Sequence, residues 1–236
     1  MYNENFVTAI IAAAGMGRRM KKSLNKQFLS INDLPILAHT LKKFDNCAYV
    51  DFILILIKES DIPYLSFILN KNKLKKDFKI VYGGKERSDS ILNGLKNIPK
   101  ETSIVLTHDG VRPFVSEEKI REAIENVFFT GASVLGVPVK DTVKVSKNGS
   151  YVDYTPKRDE LFAIQTPQVF KTDLLLKAYK IAEEEGYTAT DDCALVEKIG
   201  VKVKIIPSDY KNIKITTQED LIIAEAIAKS ESQERK

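Results

Sequence analysis

Short apolar runs alternate with helix-period segments along most of the chain, and this alternation constrains the fold more than any other feature of the sequence. Runs at residues 6–13, 50–57, 79–82, 103–107 and 132–138 have strand length. Between them lie segments with apolar residues three and four apart, such as Leu37, Leu41 and Phe44, or Ile91, Leu92, Leu95 and Ile98. Strands separated by helices of this length pair in parallel, because a return to the same end of a sheet needs a crossover of about a dozen residues or more. The pattern therefore predicts an α/β fold on a mainly parallel central sheet. Beyond residue 160 it predicts a short strand at 161–165, helices near 172–184 and 191–198, a strand at 201–206, and a last helix capped by Thr217 with Asp220. That helix is expected to end near Lys229, with a frayed tail behind it.

Residues 139–157 break the rhythm. Val143 and Val145 alternate with polar residues, Asn148-Gly149 gives a strong hairpin signal, and Tyr151-Val152 resumes the apolar run. A two-stranded arm is not stable alone, so it is expected to pack on its own body or on a second subunit. The chain of 236 residues is 44% hydrophobic and has no low-complexity linker, which favours a single domain over residues 1–236 with this arm attached.

The formal charge is only +4, and the charged residues are well mixed in sign, which argues against a nucleic-acid binder with a basic stripe. The apolar run at residues 7–14 is too short to span a bilayer, so no membrane association is expected. Cys47 and Cys193 lie far apart and have no spacing that suggests zinc or a disulfide framework, which makes the cytoplasm the expected location.

The strongest local signal is Ala12-Ala13-Ala14-Gly15-Met16-Gly17-Arg18-Arg19-Met20, directly after the first strand. Small residues let the backbone approach a ligand closely, and successive N–H groups can cradle phosphate oxygens. Arg18, Arg19 and then Lys26 add the charge a polyphosphate would meet. The Walker pattern is excluded by spacing and by the missing Lys-Ser/Thr. The dinucleotide fingerprint is excluded by Met20 in place of a third glycine, and by the absence of an acidic residue about twenty positions on. The plain alternative is a tight turn with exposed arginines.

Gly83-Gly84-Lys85-Glu86-Arg87-Ser88-Asp89-Ser90 repeats the layout, with a hydroxyl-rich helix start that suits a base or ribose, or else an ordinary capped βα connection. His108-Asp109-Gly110-Val111-Arg112-Pro113 follows the fourth strand, at the carboxyl edge where α/β sheets place ligands. Asp109 can meet a divalent cation that bridges nucleotide phosphates, or close the loop as an ion pair with Arg112. His108 reads as a satisfied loop histidine rather than a catalytic one, and His39 as packing or surface. With two histidines and no G-x-S-x-G, a Ser-His-Asp hydrolase has little support.

Taken in order, A-A-G-x-G-x-R-M with a following Lys-Gln, G-G-x-x-R-x-x-S, H-D-x-x-R-P, D-T-V-K, T-P-Q-x-F, T-D-D, and Asn212-Ile213-Lys214-Ile215 before Asp220-Leu221 resemble the 2-C-methyl-D-erythritol 4-phosphate cytidylyltransferases. The resemblance spans residues 10–225. It implies a Rossmann-like nucleotidyltransferase fold, and a homodimer in which the β-arm at about residues 139–157 exchanges between subunits. It also implies a Mg²⁺-dependent reaction: CTP and 2-C-methyl-D-erythritol 4-phosphate give 4-diphosphocytidyl-2-C-methyl-D-erythritol and pyrophosphate, in the non-mevalonate isoprenoid pathway.

Carried over by position, Ala13, Ala14, Gly15 and Gly17 match the loop that wraps CTP. Gly84, Lys85 and Ser90 match contacts to base and ribose, and Asp109 matches a residue near metal and nucleotide. Gly110, Arg112, Thr142, Arg158, Thr166 and Thr190 match the methylerythritol phosphate pocket, several of them from the partner's arm. Arg19 and Lys26 match residues that stabilise the transition state, and Arg158 and Lys214 match residues that position the substrate phosphate. Asn25 stands where many members have Pro, Gly110 where Ala is commoner, and Lys211 where an acidic residue is frequent.

Ribitol 5-phosphate cytidylyltransferases share the loop, H-D-x-x-R-P and the arm, and Thr166 before Pro-Gln favours the isoprenoid enzyme. A non-catalytic nucleotide-binding module is disfavoured by the presence of Arg19, Lys26 and Lys214, and a nucleotide-sugar pyrophosphorylase by the D-T-V-K segment.

Overall fold

The computed structural model describes residues 4–15 and 25–234, so Gly17, Arg18 and Arg19 lie outside the described residues. Among the described residues, one sheet contains seven strands: β1 (Phe6–Ala12), β4 (Phe52–Ile57), β5 (Asp77–Tyr82), β6 (Thr102–Asp109), β7 (Ala132–Pro138), β8 (Phe162–Lys171) and β9 (Lys204–Pro207). Their order across the sheet is β5-β4-β1-β6-β8-β7-β9. Neighbours pair in parallel except around β8, which runs antiparallel to both β6 and β7. A small hairpin, β2 (Ser30–Ile31) with β3 (Leu34–Pro35), turns through Asn32 and Asp33, both at positive φ.

The central strands are apolar at nearly every position because helices cover both faces. On one face Val7, Ala9 and Ile11 of β1 pack with Leu37, Leu41 and Phe44 of α1 (Ile36–Asn46), with Leu65 of α2 (Ile62–Lys71) and with Ile124 of α4 (Glu117–Thr130). On the other, Ile10 joins Leu54 and Leu56 of β4 against Ile91 of α3 (Arg87–Leu95), Leu175 of α5 (Thr172–Glu185) and Val196 of α6 (Asp192–Lys198). Successive side chains of a strand point to opposite faces, so β1 feeds both cores. A third cluster seats Ala224 and Ala228 of α7 (Gln218–Glu234) on Ile31, Ile36, Phe114 and Ile215. No helix among the described residues is long and apolar enough to cross a membrane.

Local chemistry sets the element ends. Ser116 caps α4 by accepting from the Lys119 N–H, and Gly131 ends that helix at φ +81°. Asp220 Oδ2 accepts from the backbone N–H of Thr216 and Thr217, at 2.8 and 2.9 Å, and the Asp220 N–H donates back to Thr217 Oγ1.

Three expectations need correction. Strand β8 runs for ten residues, well past the predicted 161–165, because the proline at 167 sits where pairing with β7 shifts register instead of ending the strand. Helix α7 continues to Glu234, so a tail frayed from Ser230 is wrong; a Lys43–Glu231 ion pair at 3.5 Å ties the last turns to α1. In residues 139–157 the turn is present, with Gly149 at φ +73° and Asn148 Oδ1 accepting from the N–H groups of Ser150 and Tyr151. The strands expected beside it reduce to a single antiparallel bridge, Val145 with Tyr154, since almost every side chain there is exposed and has no core to bury into.

Phe44 is fully buried, and its ring lies 4.7 Å from that of His108. Phe44→Ala should cost about 3–5 kcal/mol, the range for a buried phenylalanine that leaves a cavity, read as a lower midpoint in urea unfolding at unchanged m-value.

Candidate active site

Parallel pairing brings the strand exits together. Ala12 at the end of β1 is registered with Asp109 at the end of β6, and the ladder continues one step as the Gly110 N–H donates to Ala12 O at 2.9 Å. Beyond β5, Gly83 and Gly84 are required by close approach. A Cβ on Gly83 would collide with the Ala14 methyl group, and one on Gly84 with Asp89 Cβ. Ser90 Oγ accepts from the Gly84 N–H and donates to Glu86 O, both at 2.9 Å, while the Glu86 N–H donates to Asp89 Oδ2 at 3.0 Å. Ser90 therefore organises the loop as well as lining the site.

Between these exits lies a cavity of about 360 Å³, lined by Ala12, Ala13, Ala14, Gly15, Lys26, Gln27, Gly84, Lys85, Glu86, Arg87, Ser90, Asp109, Val111 and Lys214. At its floor the Asp109 carboxylate gathers three cations. Oδ2 receives Lys214 Nζ at 2.9 Å and Arg112 Nε at 3.2 Å, and Oδ1 faces Arg87 Nε at 3.8 Å. Burial by itself would raise the carboxyl pKa, but Lys214, Arg87 and Arg112 together hold it well below the usual carboxylate range. The cations outnumber this carboxylate, so the floor is suited to an anionic ligand.

Arg87 is braced from behind. Its Nη2 donates to Asp192 Oδ2 at 2.8 Å, and the same buried carboxylate accepts from Thr107 Oγ1 at 2.6 Å and Tyr179 Oη at 2.7 Å. Burial opposes the arginine's charge, yet Asp192 and Asp109 outweigh it and raise its pKa further. Burial also raises the Tyr179 phenol, with Asp192 adding to the shift, so the phenol stays a donor. Gln168 closes the arrangement by accepting from the N–H groups of Asp192 and Cys193 and donating to Asp191.

The segment that carries Lys214 is docked on the opposite side. Arg112 Nη1 donates to Asn212 O at 2.8 Å, Asn212 Nδ2 donates to Thr166 O and Gln165 Oε1, and the Ile215 N–H donates to Val111 O. His108 is wholly buried, with Nε2 paired to Arg112 O and Nδ1 to Thr166 Oγ1, each at 3.0 Å. It is a satisfied histidine, as expected, although it lies within β6 rather than in a loop.

The structure thus brings Ala13, Ala14, Gly15, Lys26, Gly84, Lys85, Ser90, Asp109 and Lys214 to one cavity. Gly110, Arg112 and Thr166 lie buried directly behind it; Thr166 Oγ1 accepts from the Asp109 N–H at 3.1 Å. Thr142, Arg158 and Thr190 are exposed and are not among the described residues that line the cavity; Arg158 Nη1 donates to Lys140 O at 3.3 Å. Sequence reasoning assigned no role to Arg87 or Asp192. Both were visible, as the Arg of G-G-x-x-R-x-x-S and the last Asp of T-D-D, but nothing in the sequence says that residues 105 positions apart form one ion pair.

A mainly parallel sheet that delivers a small-residue backbone turn and fixed cations to Asp109 at its carboxyl edge suits the phosphates of a nucleotide, and the chain's match to a cytidylyltransferase family makes it a nucleotidyltransferase. Residues 7–230 match the family model described as 2-C-methyl-D-erythritol 4-phosphate cytidylyltransferase. The chain belongs to that family. Among its relatives of that name, the Caldanaerobacter subterraneus subsp. tengcongensis protein is 47% identical, with 93% of this chain and 97% of the relative covered. That of Alkaliphilus oremlandii is 43% identical over the full length of both. The crystal structure of 4-diphosphocytidyl-2C-methyl-D-erythritol synthase from Anaerococcus prevotii superposes with a TM-score of 0.86 at 37% identity, covering 96% of this chain and 97% of that one. The Thermus thermophilus cytidylyltransferase gives 0.79 at 29% identity, covering 95% and 99%.

Burial pushes the His108 imidazole down to about 4, below its value of 6.5 in an unfolded chain. As pH falls the unfolded chain takes up this proton first, so the stability His108 contributes is complete above pH 6.5 and lost progressively toward pH 4. The loss should be on the order of 3 kcal/mol over that window. Chemical unfolding of wild type and His108→Gln at a series of pH values should give a flatter profile for the variant.

Proposed function

We propose that the chain carries out its family's reaction, CMP transfer from CTP to 2-C-methyl-D-erythritol 4-phosphate with release of pyrophosphate, by managing charge rather than by general base catalysis. The attacking group is a phosphate monoester with a second pKa near 6, so it is mostly dianionic at pH 7 and has no proton for a base to remove. The difficulty is repulsion between it and a triphosphate. The observation that carries the reading is the convergence of Lys26, Lys214 and Arg87 on the cavity around Asp109.

The backbone of Ala13, Ala14 and Gly15 suits the nucleotide's close approach, and Gly84, Lys85 and Ser90 suit base and ribose. Lys26, with Arg19, meets the charge that grows on the leaving pyrophosphate, where a fixed cation acts better than water. Lys214 and Arg158 hold the attacking phosphate, with Gly110, Arg112, Thr142, Thr166 and Thr190 around the polyol. Asp109 suits a Mg²⁺ ion: it is ionised, and among the described residues its Oδ1 has no hydrogen-bonding partner closer than Arg87 at 3.8 Å, while such ions take one or two carboxylates and fill their shell from substrate phosphates. Bound there, Mg²⁺ would neutralise phosphate charge. Incubation with CTP, Mg²⁺ and either 2-C-methyl-D-erythritol 4-phosphate or ribitol 5-phosphate should release pyrophosphate with the first only. No release with either would overturn the reading, and Lys26→Ala should lower kcat far more than it changes the KM for CTP.

The enzyme acts as a homodimer in the cytoplasm, with residues 139–157 reaching the neighbouring subunit. In support, Tyr151, Val152 and Tyr154 on this excursion and Phe162 just after it are exposed apolar residues, the kind of surface that marks an interface. Arg158 then acts in trans. Lys26→Ala and Arg158→Ala proteins, each inactive alone, should recover about a quarter of wild-type activity when refolded together, since half the mixed dimers are hybrids with one intact site of two. Absence of recovery would show that Arg158 serves its own subunit.

A further inference from the structure

Asp61 stands at the N-cap of α2, where a carboxylate ordinarily accepts from the first N–H groups of its own helix, yet it makes no such bond. It turns instead to Asn25 and Gln27, the two residues that flank Lys26. Asn25 Nδ2 donates to both of its oxygens, at 2.9 Å to Oδ1 and 2.7 Å to Oδ2, and Gln27 Nε2 donates to Oδ2 at 3.2 Å. The same Gln27 amide donates to Ala13 O at 2.8 Å, at the exit of β1. Asp61 is 4% exposed and Gln27 1%, so these bonds are sheltered from water.

Lys26, which lines the cavity, lies between the two residues so held. It opens a single 3-10 turn in which the Phe28 N–H donates to Asn25 O and the Leu29 N–H to Lys26 O. A lysine carries four rotatable side-chain bonds, and its ammonium is directed only if its backbone is fixed. We infer that Asp61 is a positioning residue: by clamping Asn25 and Gln27 it fixes the backbone of Lys26 relative to Ala13 and so aims the ammonium at the nucleotide phosphates. This rests on the role for Lys26 proposed above.

Asn25 sits at φ −61° and ψ 139°, a conformation proline adopts on its own. That coincidence makes the inference separable from a general loss of structure. Asn25 is only partly buried, so Asn25→Ala should fold, and it should lower kcat on the order of 10-fold, as displacement of a reacting group by a fraction of an ångström does, with the KM for CTP nearly unchanged. Asn25→Pro, which restores the backbone restraint without the carboxylate, should keep most of that rate.

In a Lys26→Ala background, Asn25→Ala should cost nothing more, because its effect passes through the missing ammonium. Equal kcat for wild type and Asn25→Ala, a loss that Asn25→Pro shares, or additive losses in the double variant would each overturn the clamp. A Lys26→Ala enzyme with wild-type kcat would instead overturn the reading of Lys26 itself, so the two failures are told apart.

Discussion

The pairing of Ala12 with Asp109 across β1 and β6 is the constraint on which the site depends. Parallel strands share a carboxyl edge, so the turn after β1 and the acidic residue ending β6 leave the sheet side by side without further engineering. The strands are buried on both faces, and a one-residue slip of β1 would send each of its side chains to the opposite core and take Ala12 out of register with Asp109. Stability and geometry are thus fixed by the same apolar side chains. Every polar element of the site is an attachment to that edge.

The second constraint is electrostatic. A carboxylate buried as deeply as Asp109 needs partners to stay ionised, and a cluster of cations as dense as Lys214, Arg87 and Arg112 needs a counter-charge to be held together in the absence of ligand. Each requirement satisfies the other. Asp192 does for the back of Arg87 what Asp109 does for its front, so a long flexible side chain is held at both sides by carboxylates rooted in different elements. The cations are in place before any phosphate arrives, which is what distinguishes preorganised charge from water.

Much of this was legible in the sequence, and the parts that were not share a cause. Strands buried on both faces read clearly because apolar runs such as Phe52-Ile53-Leu54-Ile55-Leu56-Ile57 admit few other uses. The glycines at 83 and 84 and the H-D-x-x-R-P segment could be found because backbone approach and clustered charge leave local marks. The length of β8 was not legible, since a proline is disfavoured within a sheet, and only the irregular pairing with β7 shows how the strand continues through Pro167. The roles of Asp192, Asp61 and Gln168 were not legible because each works by contact with a residue distant along the chain. An acidic residue at a helix start, as Asp61 and Asp192 are, looks like a cap whether or not its side chain is used as one.

Strand β8 carries one more consequence. Because it runs against both β6 and β7, its first residues lie at the same edge where β7 ends, so the intervening excursion leaves and re-enters the sheet on the ligand side. A parallel β8 would have forced that connection to cross a covered face and return from the opposite end. With the reversal, the excursion has both ends anchored and no obligation to the core. Its length can therefore vary without moving any strand of the sheet.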